Sequence, residues 1–379
     1  MFFSLTTILL FGYVSLRLIV PLPIGMPAKI GASLLVLLIS LKHYIFRHFF
    51  GGLASPELPR MIIIITGWIY VTLVLVFVFL VLRDILLVLF FIAKKTGLWT
   101  GFQPGYVQTA LCIIALSFAL SSWGLYEAVR LASVKKSEVV LKNLPKELDG
   151  LSIVQITDSH ANTFHPEENM RNLVEAVNRL NPDIIALTGD LVDGTPERRR
   201  ADVAPLAELR AKYGVFGAPG NHEYFSGFNA WQKKFEELGI SMLYNSHKVL
   251  TIRGQRLLIA GLTDPVAPRF GQAPPDISKA LEGAPDGVFR ILLAHQPGAS
   301  KNSAAAGIDL KLAGHTHGGQ IIGIDRFVSH WNENFLKGWY DIDGMKLYVS
   351  TGVSLWNGFP VRLGAPSEIT HIILRPEKR

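Results

Sequence analysis

The chain has 379 residues, of which 49% are hydrophobic and only 18% are charged, and its mean hydropathy is +0.32. This composition excludes a disordered protein and an ordinary soluble one, so part of the chain is expected to contact lipid. The formal charge is +7, but residues 1–137 hold 11 basic and 3 acidic side chains, while the remainder has one more acid than base. The positive charge therefore belongs to the apolar part, which is typical of cationic membrane loops and argues against nucleic-acid binding.

Four apolar stretches near the start of the chain approach the roughly 20 residues that a helix needs to cross a bilayer core. We predict membrane-spanning helices at about residues 2–22, 30–46, 61–82 and 106–126. The first stretch lacks the basic start and the cleavage site of a signal peptide, which disfavours that alternative. The third continues beyond Arg83 and Asp84 for about ten further apolar residues, too few to span alone, so this helix is expected to tilt or project.

The loop charges favour one orientation of these helices. One side carries six basic residues and the other carries three: Lys42, Arg47, Arg60, Arg130, Lys135 and Lys136, against Lys29, Lys94 and Lys95. Because basic loops stay in the cytoplasm, we expect a multi-pass protein of the cell membrane whose C-terminal domain is cytoplasmic. Two interpretations of Arg83 and Asp84 stay open: an ionic site inside the membrane, or charges at the interfacial exit of a helix, which snorkelling favours.

The composition becomes that of an ordinary globular protein near residue 137, so we divide the chain into a transmembrane region, 1–136, and a globular domain, 137–379. In the domain, short apolar runs alternate with amphipathic helices, which predicts β-α-β units and a largely parallel sheet in its first half. Five runs end in polar residues: Asp158-Ser-His160, Gly189-Asp190, Gly220-Asn221-His222, His295 and Gly314-His315-Thr-His317. Since parallel strands present their carboxyl ends at one edge, we expect these residues to lie together.

Taken singly, each of these residues has a simple explanation as a turn residue or a satisfied histidine, but five coincidences predict a metal centre. Carboxylates and imidazoles without cysteine suit Mn²⁺, Fe or Zn²⁺ better than Ca²⁺. The single cysteine, Cys112, lies in an apolar run, which excludes an intrachain disulfide. Residues two apart on an extended chain point the same way, so Asp158 with His160, and His315 with His317, can each reach one cluster.

These motifs, with Gly189-Asp190-Leu-Val-Asp193-Gly, His222-Glu223 and Ala294-His295-Gln-Pro297, resemble those of the calcineurin-like binuclear metallophosphoesterases, in particular their membrane-anchored bacterial branch. The resemblance covers about residues 151–320 and leaves the membrane region out. It implies an α/β fold, a four-layer αββα sandwich, which here would follow an all-α transmembrane region of about four helices. It also implies two divalent metal ions, with Mn²⁺ favoured over Fe or Zn²⁺.

The resemblance further implies a role for each motif residue. Asp158, His160 and His317 would hold the first metal; Asn221, His295 and His315 the second; and Asp190 would bridge both. His222 would protonate the leaving oxygen or stabilise charge there, while Asp193 and Glu223 would orient other groups. Arg362 is a candidate contact for a substrate phosphate, because arginine binds phosphate in a bidentate manner. For the aromatic residues Trp331, Phe335, Trp339 and Trp356, core packing is the default, and a substrate rim or a membrane-facing surface are the alternatives.

The leading hypothesis is a membrane-anchored phosphoesterase that uses metal-activated water to hydrolyse a phosphodiester or pyrophosphate bond. Anchoring raises the effective concentration of the domain near the bilayer, so the substrate is expected to be lipid-linked or membrane-proximal, as it is for related hydrolases of nucleotide-linked lipid A precursors. One alternative is a membrane-tethered protein phosphatase or nucleotide phosphodiesterase. Another is a non-enzymatic metal-binding sensor or scaffold, against which the complete ligand set and His222 argue.

Overall fold

The structure is a computed structural model, and it describes residues 2–52, 55–98, 105–323 and 325–378. The chain forms two compact units. The helical unit contains the residues up to 126 and the short segment 357–361, and the α/β unit contains residues 127–356 and 362–379. A five-residue segment from near the C-terminus thus belongs to the helical unit, although it lies far from the apolar stretches in sequence.

The helical unit has five α-helices in its described part, one more than the four that were predicted. They are α1 (Phe2–Val14), α2 (Met26–Ser40), α3 (Lys42–Phe49), α4 (Arg60–Lys95) and α5 (Tyr106–Val129). The additional helix arises because the stretch predicted at 30–46 breaks after Ser40, and α2 and α3 meet there at a bend of 50°. A π-helical turn, Ser15–Ile19, continues α1. Two helices, α4 and α5, are long and apolar enough to cross a bilayer, and α2 with α3 becomes a third candidate if the bent pair is one span.

Successive long helices run in alternating directions. Four hydrogen bonds establish this: Thr7 Oγ1 to Ser40 O (3.0 Å), Trp68 Nε1 to Ser122 Oγ (3.1 Å), Arg17 Nε to Asp84 Oδ2 (2.6 Å) and Tyr106 OH to Leu18 O (2.6 Å). The beginning of α1 therefore lies beside the end of α2, and the end of the π-helical turn lies beside the later part of α4. Apolar side chains of α1, α4 and α5, such as Val14, Leu73 and Ala110, are buried together between the helices.

The segment 357–361 packs against the helices of its unit. Lys42, the first residue after the bend, is buried and donates a hydrogen bond from Nζ to the carbonyl of Gly358 at 3.3 Å. On α4, a Cβ atom at Gly67 would lie 2.6 Å from Cγ of Pro360. A side chain at this position would collide with the proline, so glycine is what permits the close approach.

The α/β unit contains two mixed sheets of six strands each in its described part. Its strands are β1 (Ser133–Leu141), β2 (Ser152–Ile156), β3 (Ile184–Thr188), β4 (Val215–Ala218), β5 (Ser241–Met242), β6 (Ser246–Ile252), β7 (Gln255–Gly261), β8 (Phe289–Leu293), β9 (Leu310–Ala313), β10 (Gly338–Ile342), β11 (Met345–Val349) and β12 (Glu368–Pro376). The first sheet has the order β1-β12-β2-β3-β4-β5, and the second has β10-β11-β9-β8-β7-β6. Strands β2 to β5 are parallel, as predicted, whereas β12 is antiparallel to β2, and β6 and β10 are antiparallel to their neighbours.

A shared hydrophobic core joins the two sheets. Ile184 and Phe216 from the first sheet are buried in one cluster with Ile291 and Leu312 from the second. Helices cover the strands: α6 (Glu167–Asn178), α7 (Pro196–Val203), α8 (Asn221–Phe225), α9 (Phe228–Glu237), α10 (Ile277–Ala280), α11 (Ser300–Ala305) and α12 (Asp325–Trp331). A separate apolar cluster with α6 and α9 lies on the first sheet, and another with α10 lies on the second. Packed in this way, strands of both sheets can bring side chains to one place.

Candidate metal centre

The polar residues that follow five of the strands come from both sheets. Asp158, Asp190 and Asn221 follow β2, β3 and β4 of the first sheet, while His295 and His315 follow β8 and β9 of the second. The sequence predicted that all five residues would lie along one sheet edge. Instead, two edges contribute, because the sheets pack face to face over their common core.

The described residues contain three groups in which the ligand atoms lie within 4.8 Å of one another. Two consist of candidate ligands, namely Asp158, His160 and His317, and Asp190, His295 and His315, and the third joins His160 to Asp193 and His222. In the first group, Nε2 of His317 lies 3.4 Å from Nε2 of His160 and 3.5 Å from Oδ1 of Asp158. In the second, Nε2 of His295 lies 3.2 Å from Nδ1 of His315 and 3.1 Å from Oδ2 of Asp190. Imidazole nitrogens that converge on a carboxylate in this way can bind a common cation.

Asp190 connects the two groups. Its Oδ2 atom lies 3.1 Å from Nε2 of His295 in one group and 3.9 Å from Nε2 of His160 in the other. Its Oδ1 atom accepts the backbone N–H of His222 at 2.8 Å, which fixes the orientation of the carboxylate. This is the position that a carboxylate needs in order to contact two cations.

Two buried oxygen atoms indicate that the site is built for cations. Oδ1 of Asp158 and Oδ1 of Asn221 have no hydrogen-bond partner within the described ranges. A buried acceptor without a partner costs about 1–3 kcal/mol, and a cation would remove that cost. Carboxylate, amide and imidazole donors without a thiolate suit Mn²⁺, Fe or Zn²⁺. The residues present therefore fit a pair of divalent cations.

The backbone at the candidate ligands adopts the left-handed conformation. Five of them have positive φ: Asp158 (56°), His160 (42°), Asp190 (53°), His315 (71°) and His317 (48°). Asp158 and His160 lie in one ligand group, as the sequence argument expected, but their backbone beyond β2 is left-handed rather than extended, and His315 and His317 lie in different groups. Such conformations cost about 1–3 kcal/mol each for residues other than glycine and cluster at functional sites, where the surrounding structure holds them in place.

Gly220 and Glu223 hold the loops after β3 and β4 together. A Cβ atom at Gly220 would lie 2.5 Å from the backbone nitrogen of Asp190, so only glycine allows this approach. The buried carboxylate of Glu223 accepts the backbone N–H groups of Gly220 (2.6 Å), Asp190 (3.0 Å) and Leu191 (2.6 Å). These contacts are to backbone only, which favours the orienting role predicted for Glu223.

His222 is accessible, with 13% of its side chain exposed, and Asp193 supports it from inside. Oδ1 of Asp193 contacts Nδ1 of His222 and lies 3.2 Å from Nδ1 of His160. Burial alone would lower the pKa of His222, but the negative charges of Asp190 and Asp193 outweigh burial and raise the pKa to about 9. Asp190 and Asp193 thus favour the protonated His222 imidazole, which is the form that a general acid requires.

Arg362 lies behind the loops rather than in the open site. Its side chain is fully buried and donates hydrogen bonds to the backbone carbonyls of Ser354 (2.6 Å), Thr351 (2.9 Å) and Ala365 (3.0 Å). Burial lowers the pKa of Arg362 to about 10, so the group remains charged at neutral pH. Because its terminal nitrogens bond to backbone oxygens, this placement favours a role in holding the loop after β11 over contact with a substrate phosphate.

Two residues next to Asp158 were missed from the sequence. Oγ1 of Thr157 donates a hydrogen bond to Oδ2 of Asp158 at 2.8 Å, and the backbone N–H of His315 donates to the same oxygen at 3.1 Å. Gly352 has a φ of +78°, and a Cβ atom there would lie 2.7 Å from Cβ of Asp158. The Ser-Thr-Gly triplet that ends at Gly352 follows β11 directly. Its position after a strand was the sequence signal that could have placed Gly352 in the site.

Aromatic side chains border His222. The ring centres of Phe225 and Trp356 lie 5.6 Å and 6.4 Å from that of His222, and Phe270 lies 5.6 Å from Phe225. Phe225 is 54% exposed and Phe270 is 43% exposed. Trp331 is 84% exposed, so the default assignment of this residue to the core was wrong. One side of the site is therefore apolar and open.

Comparisons with known proteins agree with this site. The calcineurin-like phosphoesterase family matches residues 151–319. A transmembrane protein with a metallophosphoesterase domain from Danio rerio is 33% identical over 278 residues, which are 71% of this chain and 63% of that protein. A Caenorhabditis elegans metallophosphoesterase is 32% identical over 365 residues, which are 91% of this chain and 74% of that protein. A metallophosphoesterase from Helicobacter pylori strain J99 is 34% identical over 258 residues, which are 68% of this chain and 67% of that protein.

This chain thus spans a little under two thirds of the zebrafish relative. Among solved structures, the NAD nucleotidase of Haemophilus influenzae aligns with a TM-score of 0.36 and 19% identity, over 54% of this chain and 50% of that one. The similarity to the nematode and Helicobacter proteins extends over two thirds or more of their length, which confirms the resemblance that the motifs indicated. The chain belongs to the calcineurin-like metallophosphoesterase family.

Proposed function

We propose that this metallophosphoesterase is anchored in the membrane and hydrolyses a phosphodiester or pyrophosphate bond in a lipid-linked substrate. The observation that supports the reaction is the position of Asp190 Oδ2 between the two ligand groups. A carboxylate shared by two groups allows two cations to act on one phosphoryl group. The transmembrane relative and the two long apolar helices support anchoring.

We assign the cation ligands as the resemblance implies. Asp158, His160 and His317 would hold the first cation, Asn221, His295 and His315 the second, and Asp190 both, with Mn²⁺ the proposed metal. When bound, the cations supply charge stabilisation for the phosphoryl oxygens and a water of lowered pKa. The left-handed turns preorganise the ligands, so little reorganisation is needed on binding.

We propose that His222 protonates the leaving oxygen. Its Nδ1 atom contacts Asp193, so Nε2 is the nitrogen that points toward Asp190, 3.9 Å from Oδ2. A proton on Nε2 therefore faces the place where a phosphoryl group would lie. Asp193 fixes the tautomer and stabilises the imidazolium, as a carboxylate does for other catalytic histidines.

The aromatic rim supports an amphiphilic substrate. Phe225 and Phe270 expose apolar rings beside His222, on the side proposed for the leaving group. Further exposed apolar residues follow His317 in the chain, namely Ile322 (71%), Phe327 (70%) and Trp331 (84%). Exposed apolar side chains near the site support our proposal that it binds apolar groups.

We expect the full-length, Mn²⁺-loaded protein to prefer a nucleotide-linked lipid diester over the same diester without acyl chains. Burying one phenylalanine side chain contributes about 1.5–3 kcal/mol, so Phe225→Ser should lower kcat/KM for the acylated diester by about tenfold or more. The soluble diester should change by less than about twofold, because its reaction does not use the rim. Val140→Ser, at an exposed apolar position on β1, is the control.

Metal content is measured in parallel on the same preparations. Equal kcat/KM for acylated and soluble diesters would exclude the lipid-linked substrate but leave the phosphodiesterase reaction. An aryl phosphomonoester hydrolysed faster than any diester would instead favour the protein phosphatase alternative.

We also propose four membrane passes, with the α/β unit in the cytoplasm. Arg17 and Arg83 pair with Asp84 within the helices, and Lys42 is buried in α3, so the basic residues counted for the two sides become five against three. A periplasmic alkaline phosphatase reporter fused after Arg379 should be inactive in a bacterial host, whereas the same reporter fused after Thr96, beyond α4, should be active. A strong periplasmic signal from the Arg379 fusion would contradict the orientation.

A further inference from the structure

A charged cluster lies within the helical unit, in the later part of α4. Its centre is Asp84 on α4. Oδ2 of Asp84 accepts hydrogen bonds from Tyr13 OH (2.7 Å) and Arg17 Nε (2.6 Å), and Oδ1 accepts from Nε (2.9 Å) and Nη2 (2.7 Å) of Arg83. The carboxylate thus receives four hydrogen bonds and has little capacity for further partners.

Two guanidinium groups share this one carboxylate, so the cluster carries one surplus positive charge. The side chain of Arg83 is nine-tenths buried, and its Nη1 has no hydrogen-bond partner among the described residues. Arg17 donates to the carboxylate through Nε, and its side chain is 46% exposed. The buried guanidinium of Arg83, with an unused donor at Nη1, is destabilising unless an anion binds it.

The backbone at Arg17 is distorted in a way that supports a binding role. Arg17 lies within the π-helical turn Ser15–Ile19, which is closed by the N–H of Val20 donating to Ser15 O at 2.9 Å. Tyr106 at the start of α5 donates its hydroxyl to the carbonyl of Leu18 at 2.6 Å. Single π-helical turns are rare and occur frequently at functional sites.

An apolar groove of about 680 Å³ between α4 and α5 contains Arg17, Arg83 and Tyr106. From these residues the apolar lining continues in one direction to Phe79 on α4 and Leu116 on α5, and in the other direction along α4 to Phe90. The ten residues from Tyr106 to Leu116 correspond to about 15 Å of helix. The volume lies within the range of about 300–1,000 Å³ that is typical of ligand sites. The groove is therefore cationic at Arg17 and Arg83 and apolar on both sides of them.

The cluster lies at the depth of a lipid headgroup. Arg83 is 23 residues after Arg60, the first residue of α4, which is about 35 Å along the helix. This distance slightly exceeds the roughly 30 Å of a bilayer hydrocarbon core. With Arg60 at one interface, Arg17 and Arg83 lie at the other, and the part of the groove lined by Phe79, Ile113 and Leu116 extends into the hydrocarbon.

We propose that this groove binds one anionic membrane lipid, with its phosphate at Arg17 and Arg83 and an acyl chain along α4 and α5. The surplus charge selects an anionic headgroup over a zwitterionic one, because only the former neutralises the cluster. The apolar lining selects a lipid over a soluble anion. The site belongs to the helical unit and is separate from the proposed phosphoesterase centre. The lipid-binding proposal and the proposed function can therefore be tested, and contradicted, independently.

Cys112 provides a reporter for the test, because it is the only cysteine of the chain, is exposed, and lines the groove about 9 Å along α5 from Tyr106. The full chain, labelled there with bimane, is placed in phosphatidylcholine vesicles with increasing fractions of acyl-brominated phosphatidylglycerol or acyl-brominated phosphatidylcholine. Quenching should indicate an affinity about fivefold higher for phosphatidylglycerol, the ratio expected for one surplus charge.

The preference should fall to about onefold in Arg17→Gln, in which Asp84 keeps its hydrogen bonds to Tyr13 and Arg83. Arg17→Lys should keep part of the preference for phosphatidylglycerol. Lys94→Gln removes an exposed charge near the end of α4 and should keep the whole preference. Equal quenching by both lipids in the unmodified chain, or a preference that survives Arg17→Gln, would overturn the proposal. So would loss of the preference in Lys94→Gln, or displacement by inorganic phosphate at matched ionic strength, which would indicate surface charge or a soluble anion.

Discussion

Asp190→Asn is expected to abolish binding of both metal ions and to lower kcat/KM by about a thousandfold or more. The carboxylate lies between the two ligand groups, with Oδ2 3.1 Å from His295 and 3.9 Å from His160. Asparagine keeps the shape and an oxygen for the His222 N–H, but it removes the negative charge that two cations would share. Losing one preorganised charge at a reacting centre typically costs about 10²–10³ in rate, and loss of the metals adds to that.

The measurement is metal content per chain together with activity and thermal unfolding. Asp183→Asn is a matched control, because Asp183 precedes the other end of β3 and its carboxylate accepts the Ser152 N–H at 3.0 Å. This variant should retain two metals and nearly full kcat/KM. Two metals and full activity in Asp190→Asn would contradict the bridging assignment, whereas two metals without activity in the unmodified protein would contradict the proposed reaction.

His222→Ala is expected to keep both metals and to lose turnover in a way that depends on the leaving group. A general acid contributes about 10²–10⁴ to the rate, and it matters most for a poor leaving group that needs a proton. An alkyl diester should therefore lose about a hundredfold or more in kcat, while an aryl diester with an acidic leaving phenol should lose less than about tenfold. His247→Ala, whose Nδ1 contacts the Ala280 carbonyl, is the control.

The pH profile gives a second test of His222. The pKa of its imidazole is raised to about 9, so the protonated, active form is present below that pH and is lost above it. Cations at Asp190 would cancel part of the negative charge that raises this pKa, so the alkaline fall in kcat is expected at or below about pH 9. An unchanged alkaline limb in His222→Ala, or an equal loss for alkyl and aryl substrates, would exclude His222 as the proton donor.

The sequence alone predicted which strands would carry the chemistry. Runs such as 152–156 and 289–293 are apolar and are followed at once by a carboxylate or an imidazole, and they form β2 and β8. Burial on both faces requires such runs, and the polar residues after them cannot remain in the core. The sequence alone was therefore sufficient to predict that the motif residues lie at strand ends.

The sequence could not show that the ligands come from two sheets, or that the Arg362 side chain is buried and donates hydrogen bonds to backbone carbonyls. Pairings such as β1 with β12 join residues more than 200 positions apart, and no local pattern encodes them. The positive φ values at His160 and His315 likewise depend on neighbouring loops, since an isolated chain would avoid them.

In the membrane region, too, some features could be predicted from the sequence and others depended on the packed structure. Apolar length was enough to predict α4 and α5, because burial of a helix in lipid depends on composition alone. The pairing of Arg17 with Asp84, the break after Ser40 and the return of segment 357–361 to the helices were decided only in three dimensions. Each depends on contacts between residues distant in sequence, and only the packed fold sets the free energy of such contacts.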